Sequence, residues 1–452
     1  MQTQHTTPAP ETPETFTKSL LSFVSRWGLE LSVVIPVGGA YLLLARKVGY
    51  WPAAWLVIGV VVLLLLIPQV REVLRIVLRL SHWMRRFDTA LSMQSGILEQ
   101  RRPKVVGAKK VPSGTRLTLS LRSGTAISDV ASIAPYIAVH FKVRNVRVKP
   151  DPQDASLVDL TLCTKDPFGS GPVALPEHEA GTRLAWGTIR AGIDEDGSEV
   201  RLSLLERSSL SGGEPGSGKS GYLHVNIAEL GLDPTVTFYL FDPKGVELAP
   251  WRRCASKFVT SDMKAANKQL AEIEDEMHLR YETLQSLGLR KLQEGGPFGL
   301  MAVVIDELPY YVANSDKEAS KEFATRLRDI IARGRASGII VITAAQKPSV
   351  DTIPSAIRDL ISLRLAFRCS TREASDTILG SGWATKGFSA SEIAIGDRGV
   401  GLLLGKDDIP ILLRAYLMND EAIEKRVSEM CRRRTADTRE GLPNLNGTWE
   451  DA

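Results

Sequence analysis

The chain has 452 residues and a formal net charge of +4 at pH 7, which gives room for two or three domains and too little excess charge to mark a nucleic-acid binder by itself. Its four cysteines, Cys163, Cys254, Cys369 and Cys431, and its six histidines are dispersed, so they match no disulfide or metal spacing, and a reducing compartment is expected. Basic residues cluster at Arg101-Arg102-Pro103-Lys104 with Lys109-Lys110, and at Arg432-Arg433-Arg434; the last cluster reads as a solvated face.

Residues 1–27 are rich in Thr, Pro and Glu and carry too few apolar side chains to bury a core, so a disordered cytoplasmic tail is expected. No signal-peptide pattern opens the chain. From Trp51 to Val70 no residue is charged, and at about 1.5 Å per residue such a helix spans roughly 30 Å, the thickness of a bilayer's hydrocarbon core. The earlier run from Leu31 to Ala45, interrupted by Pro36, Gly38 and Gly39, is expected to supply a second span, or else a buried hairpin partner. Residues 28–70 thus read as a membrane anchor. Arg71, Arg75, Arg79, Arg85 and Arg86 outnumber Glu72 and Asp88 on the following flank, which places that flank in the cytoplasm. The expectation is a multi-pass protein of the cell membrane, with the lipid bilayer as a partner and the bulk of the chain in the cytoplasm. Arg46 and Lys47, left in the external turn, run against it.

Leu74, Val77, Leu78 and Leu80 to Trp83 continue as a linker helix over 71–103, which Pro103 ends. Residues 104–185 read as a small α/β subdomain. Alternating runs at 115–121, 143–148 and 158–162 predict strands, and Ile127 to Val139 predicts a helix between them.

Residues 186–418 hold the stretch that organises the rest. Gly213-Glu214-Pro215-Gly216-Ser217-Gly218-Lys219-Ser220 fits GxxxxGK[ST] at every fixed position. In such a loop backbone N–H groups turn onto phosphate oxygens, the lysine reaches the β- and γ-phosphates, and the hydroxyl of Ser220 can hold Mg²⁺. Leu223, Ile227 and Leu230 then mark one face of a helix that Gly231 ends. The run before the loop, Ser208 to Ser211, is short and polar for a buried parallel strand. Downstream, Leu300 to Ile305 is an apolar strand ending in Asp306-Glu307, with Asp306 placed for the Mg²⁺ shell and Glu307 for polarising the attacking water. Strands are also predicted at Thr237 to Phe241, ending at Asp242, at Ile339 to Thr343 and at Leu363 to Phe367. Leu270, Ile273, Met277, Tyr281 and Leu284 mark one amphipathic helix, and Phe323, Leu327, Ile330 and Ile331 another. Alternating strands and helices imply a mostly parallel sheet covered on both faces, with ligands at the strands' C-terminal ends. Residues 419–452 read as a polar C-terminal tail.

Asp242-Pro243-Lys244-Gly245-Val246-Glu247-Leu248, the helix Ile273 to Tyr281, Val303 to Leu308, and Gly334-Arg335-Ala336-Ser337-Gly338-Ile339 running into Thr343-Ala344-Ala345-Gln346-Lys347-Pro348 follow one another in that order. Together these segments resemble the FtsK/SpoIIIE family of DNA translocases. The resemblance extends over about Lys104 to Leu417. It implies a RecA-like P-loop motor that binds ATP and Mg²⁺ and assembles as a homo-oligomeric ring, a hexamer, around double-stranded DNA. In that frame Lys219 and Ser220 bind nucleotide and metal, Asp306 and Glu307 run hydrolysis, and Gln346 senses the γ-phosphate. Arg364 stands where the family supplies an arginine to the neighbouring subunit, with Arg372 as the runner-up and a salt-bridged sheet-end residue as the plain alternative for Arg364. Lys347 is expected to meet the DNA backbone.

Three departures stand out. The strand entering the loop is unusually polar, position 376 is Asp where many members have Arg, and the tail after Leu417 is short for a winged-helix reader of loading sequences. The pattern is most similar to the transfer proteins of actinobacterial conjugative elements, so DNA transport in conjugation or chromosome segregation is the leading expectation. A protein-secretion ATPase of the related type is the competing one, disfavoured by the single P-loop. An idle nucleotide-binding scaffold is a third.

Overall fold

The computed structural model describes residues 36–47, 49–66, 78, 81–91, 98, 101–151, 153–169, 171–179, 181–346, 352–405 and 409–439. The chain divides into two units, one ending at Asp166 and the other beginning at Pro167.

The apolar segment near the N-terminus forms helix α1, Tyr50–Leu66, of 17 residues. At 1.5 Å per residue it is about 26 Å long, short of a bilayer core. No helix among the described residues is long and apolar enough to cross a membrane. This corrects the expected multi-pass placement in the cell membrane and leaves the expected anchor over 28–70 and the bilayer as a partner without support. The expected span to Val70 runs on into residues outside the described ones, as do the tail over 1–27, most of the linker over 71–103, and Lys347.

In the first unit, alternation of apolar and polar residues builds a four-stranded antiparallel sheet from β1 (Lys104–Val111), β2 (Gly114–Ser120), β3 (Asn145–Pro150) and β4 (Leu157–Cys163), in the order β1-β2-β4-β3. Helix α2, Ile127–Phe141, buries Val130, Ile137 and Phe141 among Leu117, Leu119, Leu160 and Leu162 of the sheet, and Phe87 and Leu91 join that core. Strand β1 was not among the predicted elements. Its register shifts between Val105 and Gly107, and the bulge breaks the alternation by which a strand is recognised.

The second unit is organised on one eleven-stranded sheet. Ten strands follow in the order β10 (Lys257–Val259), β9 (Thr237–Phe241), β11 (Met301–Ile305), β12 (Ile339–Gln346), β8 (Ser209–Gly213), β13 (Leu363–Phe367), β14 (Val400–Leu404), β15 (Ile411–Leu417), β6 (Ile189–Asp194) and β7 (Glu199–Leu202), and β5 (Val173–Ala174) pairs beside β15. From β10 to β13 the pairs are parallel; from β13 to β7 they are antiparallel. The parallel half matches the expected βαβ alternation. The antiparallel half is an addition to it.

Alternate residues of the central strands go to opposite faces. Ala302, Val304, Ile340 and Ile342 pack with helix α3 (Lys219–Leu230), whereas Val303, Ile305, Ile339 and Val341 pack with helices α4 (Met263–Ser286) and α6 (Lys317–Arg333). On α4 the predicted stripe residues Leu270, Ile273 and Met277 are fully buried, as are Phe323 and Leu327 on α6. Truncating any one of them to alanine costs roughly 2–5 kcal/mol. Asp262 and Asp316 cap the two helices through their side chains.

Where a polar tail was expected, the chain forms helix α9, Asp420–Arg439, which buries Ile423, Val427 and Met430 in the core shared with α3. Two of the three arginines read as a solvated face are tied down instead. Arg433 donates to the carbonyls of Thr182 and Leu232 at 2.9 and 2.8 Å, and Arg434 to those of Cys254 and, at 2.7 Å, Val236. Guanidiniums here satisfy loop carbonyls that no strand partner reaches.

Candidate nucleotide-binding site

The polar strand β8 is the innermost one of the motif region, lying between β12 and β13 with all five residues buried. Ser211 fits there because its side chain bonds across the sheet, Oγ donating to the Thr343 carbonyl at 3.3 Å, and Thr343 Oγ1 in turn donates to the Ser209 backbone carbonyl at 3.0 Å. Leaving β8, the chain passes through α3 and returns as β9, with β11 and β12 inserted later between the two. This crossing over of the strand order opens a crevice at the C-terminal strand ends, where Gly213, Asp242, Asp306 and Gln346 all stand.

The loop from Gly213 to Ser220 turns through positive φ at Gly213, Gly216 and Gly218, a region that L side chains seldom adopt. Gly218 has a second reason to lack a side chain. A Cβ there would lie 2.8 Å from the Cα of Gly399, whose N–H is bonded to the Ser217 carbonyl at 2.8 Å. Lys219 is buried, and its Nζ donates to the carbonyls of Gly213 and Glu214 at 2.8 and 2.6 Å. Burial pulls its pKa down to about 8 against the opposing pull of Glu307 and Asp306. Ser220 follows in the first turn of α3.

Across from the lysine, Asp306 is buried, and its Oδ2 has no hydrogen-bond partner. Burial, helped by the charges of Asp242 and Glu247, pushes its pKa up to about 6. Glu307 begins the short helix α5 (Leu308–Val312). Both of its carboxylate oxygens accept the N–H of Gln346 at 3.1 Å. Burial raises Glu307 to about 7, with the Gln346 N–H opposing and the neighbouring Asp306 adding to the rise. The crevice thus holds two carboxylates whose charge is only partly offset by Lys219 and Lys244. That is the electrostatic pattern of a site made for a polyvalent anion with a cation.

Of the expected site residues, the structure brings together 213–220, Asp306, Glu307 and Gln346, and keeps Arg364 apart. Arg364 pairs in register with Leu210 on β8, well before that strand's end. It donates to the carbonyls of Ile361 at 3.0 Å and, at 2.8 Å, Arg358, the last residue of the short helix α7 (Ser355–Arg358). Arg372 begins helix α8 (Arg372–Leu379), exposed, 3.4 Å from Glu392. Asp376, where an arginine is common, accepts the N–H groups of Gly382 and Ala384 at 2.9 and 2.8 Å; it organises the loop that follows.

Two features of the crevice went unread in the sequence. Asp242 accepts three N–H groups, from Lys244, Gly245 and Leu248, at 2.9–3.0 Å, so this carboxylate shapes the 243–248 loop; an Asp at a strand end before Pro-x-Gly is the available signal. Glu214 forms an ion pair with Arg368, which no local spacing reveals.

The FtsK/SpoIIIE family pattern matches residues 202–383, the span from the strand before the loop through α8. Residues 202–383 are an FtsK/SpoIIIE-family domain. Relatives that share this family's name or fold extend the match. The DNA translocase SftA of Bacillus subtilis (strain 168) is 27% identical over 351 residues, covering 73% of this chain and 35% of that protein. The DNA translocase FtsK of Vibrio vulnificus is 29% identical over 318 residues, covering 62% and 32%. The chain therefore spans about a third of the length of these curated relatives. Among solved structures, the pCW3 conjugation coupling protein TcpA, in monomer form with ATPγS, superposes with a TM-score of 0.53 at 19% identity, over 78% of this chain and 99% of that one. The FtsK/SpoIIIE domain here is thus a mixed α/β P-loop ATPase-like fold around a central sheet.

Proposed function

We propose that the chain is an ATP-dependent double-stranded-DNA translocase, with a RecA-like motor over residues 186–418 and a small α/β subdomain over 104–185. It works as a ring of copies, a hexamer, in conjugal transfer or chromosome segregation. The observation that carries this reading is the buried pair Asp306 and Glu307 beside an intact P-loop lysine, in a domain of the FtsK/SpoIIIE family.

Backbone N–H groups of Gly216, Gly218 and Lys219 cradle the phosphates, and Lys219 turns its side chain from its own loop's carbonyls to the β- and γ-phosphates. Ser220 and Asp306 are the residues that would hold Mg²⁺, and the unpartnered Oδ2 of Asp306 fits that use. Bound there, the metal neutralises charge on the transferred phosphate. Glu307 accepts the proton of the attacking water; a group with a pKa near 7 is half in its basic form at neutral pH and holds the proton well enough to take it. The Gln346 N–H fixes the orientation of that carboxylate, and its side chain reads the γ-phosphate. For the arginine acting on a neighbouring copy's nucleotide, the exposed Arg372 is preferred to Arg364, whose donors are engaged by its own chain.

The test is ATP hydrolysis by the full purified chain with and without duplex DNA, across salt concentrations. Strong stimulation by duplex is expected, lost in Lys219→Ala, with DNA binding that weakens steeply as salt rises. Hydrolysis indifferent to duplex but raised by a polypeptide would overturn the DNA reading in favour of a protein-threading motor.

A further inference from the structure

The phosphate cradle of this chain contains a carboxylate, Glu214, at its first variable position. A negative side chain on a loop that binds a polyphosphate opposes the ligand by simple Coulomb repulsion. The fold answers it with Arg368, the residue immediately after β13, the strand that flanks β8. The Arg368 guanidinium pairs with the Glu214 carboxylate through Nη1 and Oε2, and the Arg368 carbonyl accepts the Glu214 N–H at 2.9 Å. Both side chains are about three-quarters buried, at 24% and 27% exposure, so their pairing is only partly screened by water. On the backbone side the Glu214 carbonyl accepts Lys219 Nζ at 2.6 Å. Two cations therefore hold one residue, one by its main chain and one by its side chain.

We propose that Arg368 is a positioning residue that keeps the Glu214 carboxylate away from the phosphate-binding face of the loop, and that it acts through Glu214 without touching the nucleotide. This rests on the reading of the crevice as a nucleoside-triphosphate site. A carboxylate released toward a bound polyphosphate weakens binding by about tenfold at low salt, the worth of a partly screened unit charge. Removing that carboxylate as well removes the penalty. A direct arginine–phosphate contact would behave differently, because its loss cannot be repaired by changing Glu214.

The experiment measures ATPγS binding calorimetrically to the full chain, with steady-state KM and kcat alongside. Arg368→Gln is expected to weaken binding and raise KM about tenfold, less at high salt, with kcat within about twofold. Arg368→Lys, which keeps the charge, recovers most of the loss, and Glu214→Gln binds as tightly as the unaltered chain or more so. The double variant Glu214→Gln/Arg368→Gln binds within about twofold of Glu214→Gln alone. If Arg368→Gln does not fold, the double variant and Arg368→Lys still carry the comparison. A double variant as weak as Arg368→Gln alone, or an Arg368→Gln that binds normally, overturns the proposal. Failure of the underlying reading looks different: Lys219→Ala would then bind ATPγS as well as the unaltered chain does.

Discussion

Replacing Glu307 by Gln should make the protein more stable at pH 8 while abolishing hydrolysis, and the two effects have one cause. The carboxyl group is raised from 4.5 to about 7 by burial, so folding favours its protonated form. A raised acid contributes stability that is present in full below pH 4.5, the unfolded value, and is lost as pH climbs through about 7. Above that, the folded chain carries a charge it would be more stable without. A tenfold change in proton affinity is worth about 1.4 kcal/mol, so the rise at Glu307 sets an upper bound of about 3.5 kcal/mol. The side chain is only half-buried, so about 2 kcal/mol is a fairer figure. Glutamine keeps an oxygen to accept the Gln346 N–H and carries no charge. The assay is urea unfolding of both proteins at about pH 5 and about pH 8. The gain should be on the order of 2 kcal/mol at the higher pH and shrink to a few tenths at the lower. An equal gain at both pH values, or none at the higher one, would show that burial of this charge is not what raises its pKa, and the argument for a proton acceptor poised near neutrality would fall with it.

Gly218→Ala places a Cβ at a left-handed φ of 125°, 2.8 Å from the Cα of Gly399; nucleotide binding, followed by calorimetry, should fall more than about a hundredfold, because the loop must open to admit it. Asp242→Ala strands three N–H groups near the core, and urea denaturation should report a loss of roughly 2–3 kcal/mol. Arg364→Ala should cost stability on the order of 1–2 kcal/mol through the freed Ile361 and Arg358 carbonyls. Arg372→Ala should leave the melting temperature unchanged and cut ATP turnover by about a thousandfold; the reverse pattern would return the trans role to Arg364.

The parallel half of the sheet is legible because β11 is apolar throughout and β9 and β12 are mostly so, as expected of strands covered on both faces, and the residues that end them carry the crevice. Strand β8 defeats that criterion. It is as buried as its neighbours, yet it reads as short and polar for a buried strand, because the bonds that tie Ser211 and the Ser209 backbone carbonyl to Thr343 join residues more than a hundred positions apart. Similar distance in sequence hides the Arg368–Glu214 pair and the arginine anchors of α9. Strands β14 and β15 are apolar enough to see, but a βαβ expectation leaves no place for an antiparallel hairpin, so they pass unread. Local pattern, then, exposes the phosphate loop and its acidic answer, because each is spelled in consecutive residues. What it cannot expose is the electrostatic balance of the crevice. The raised carboxylates of Asp306 and Glu307, the carboxylate on the loop and the arginine that restrains it all depend on which strands stand side by side, and that order is set by where the chain crosses over itself between β8 and β9.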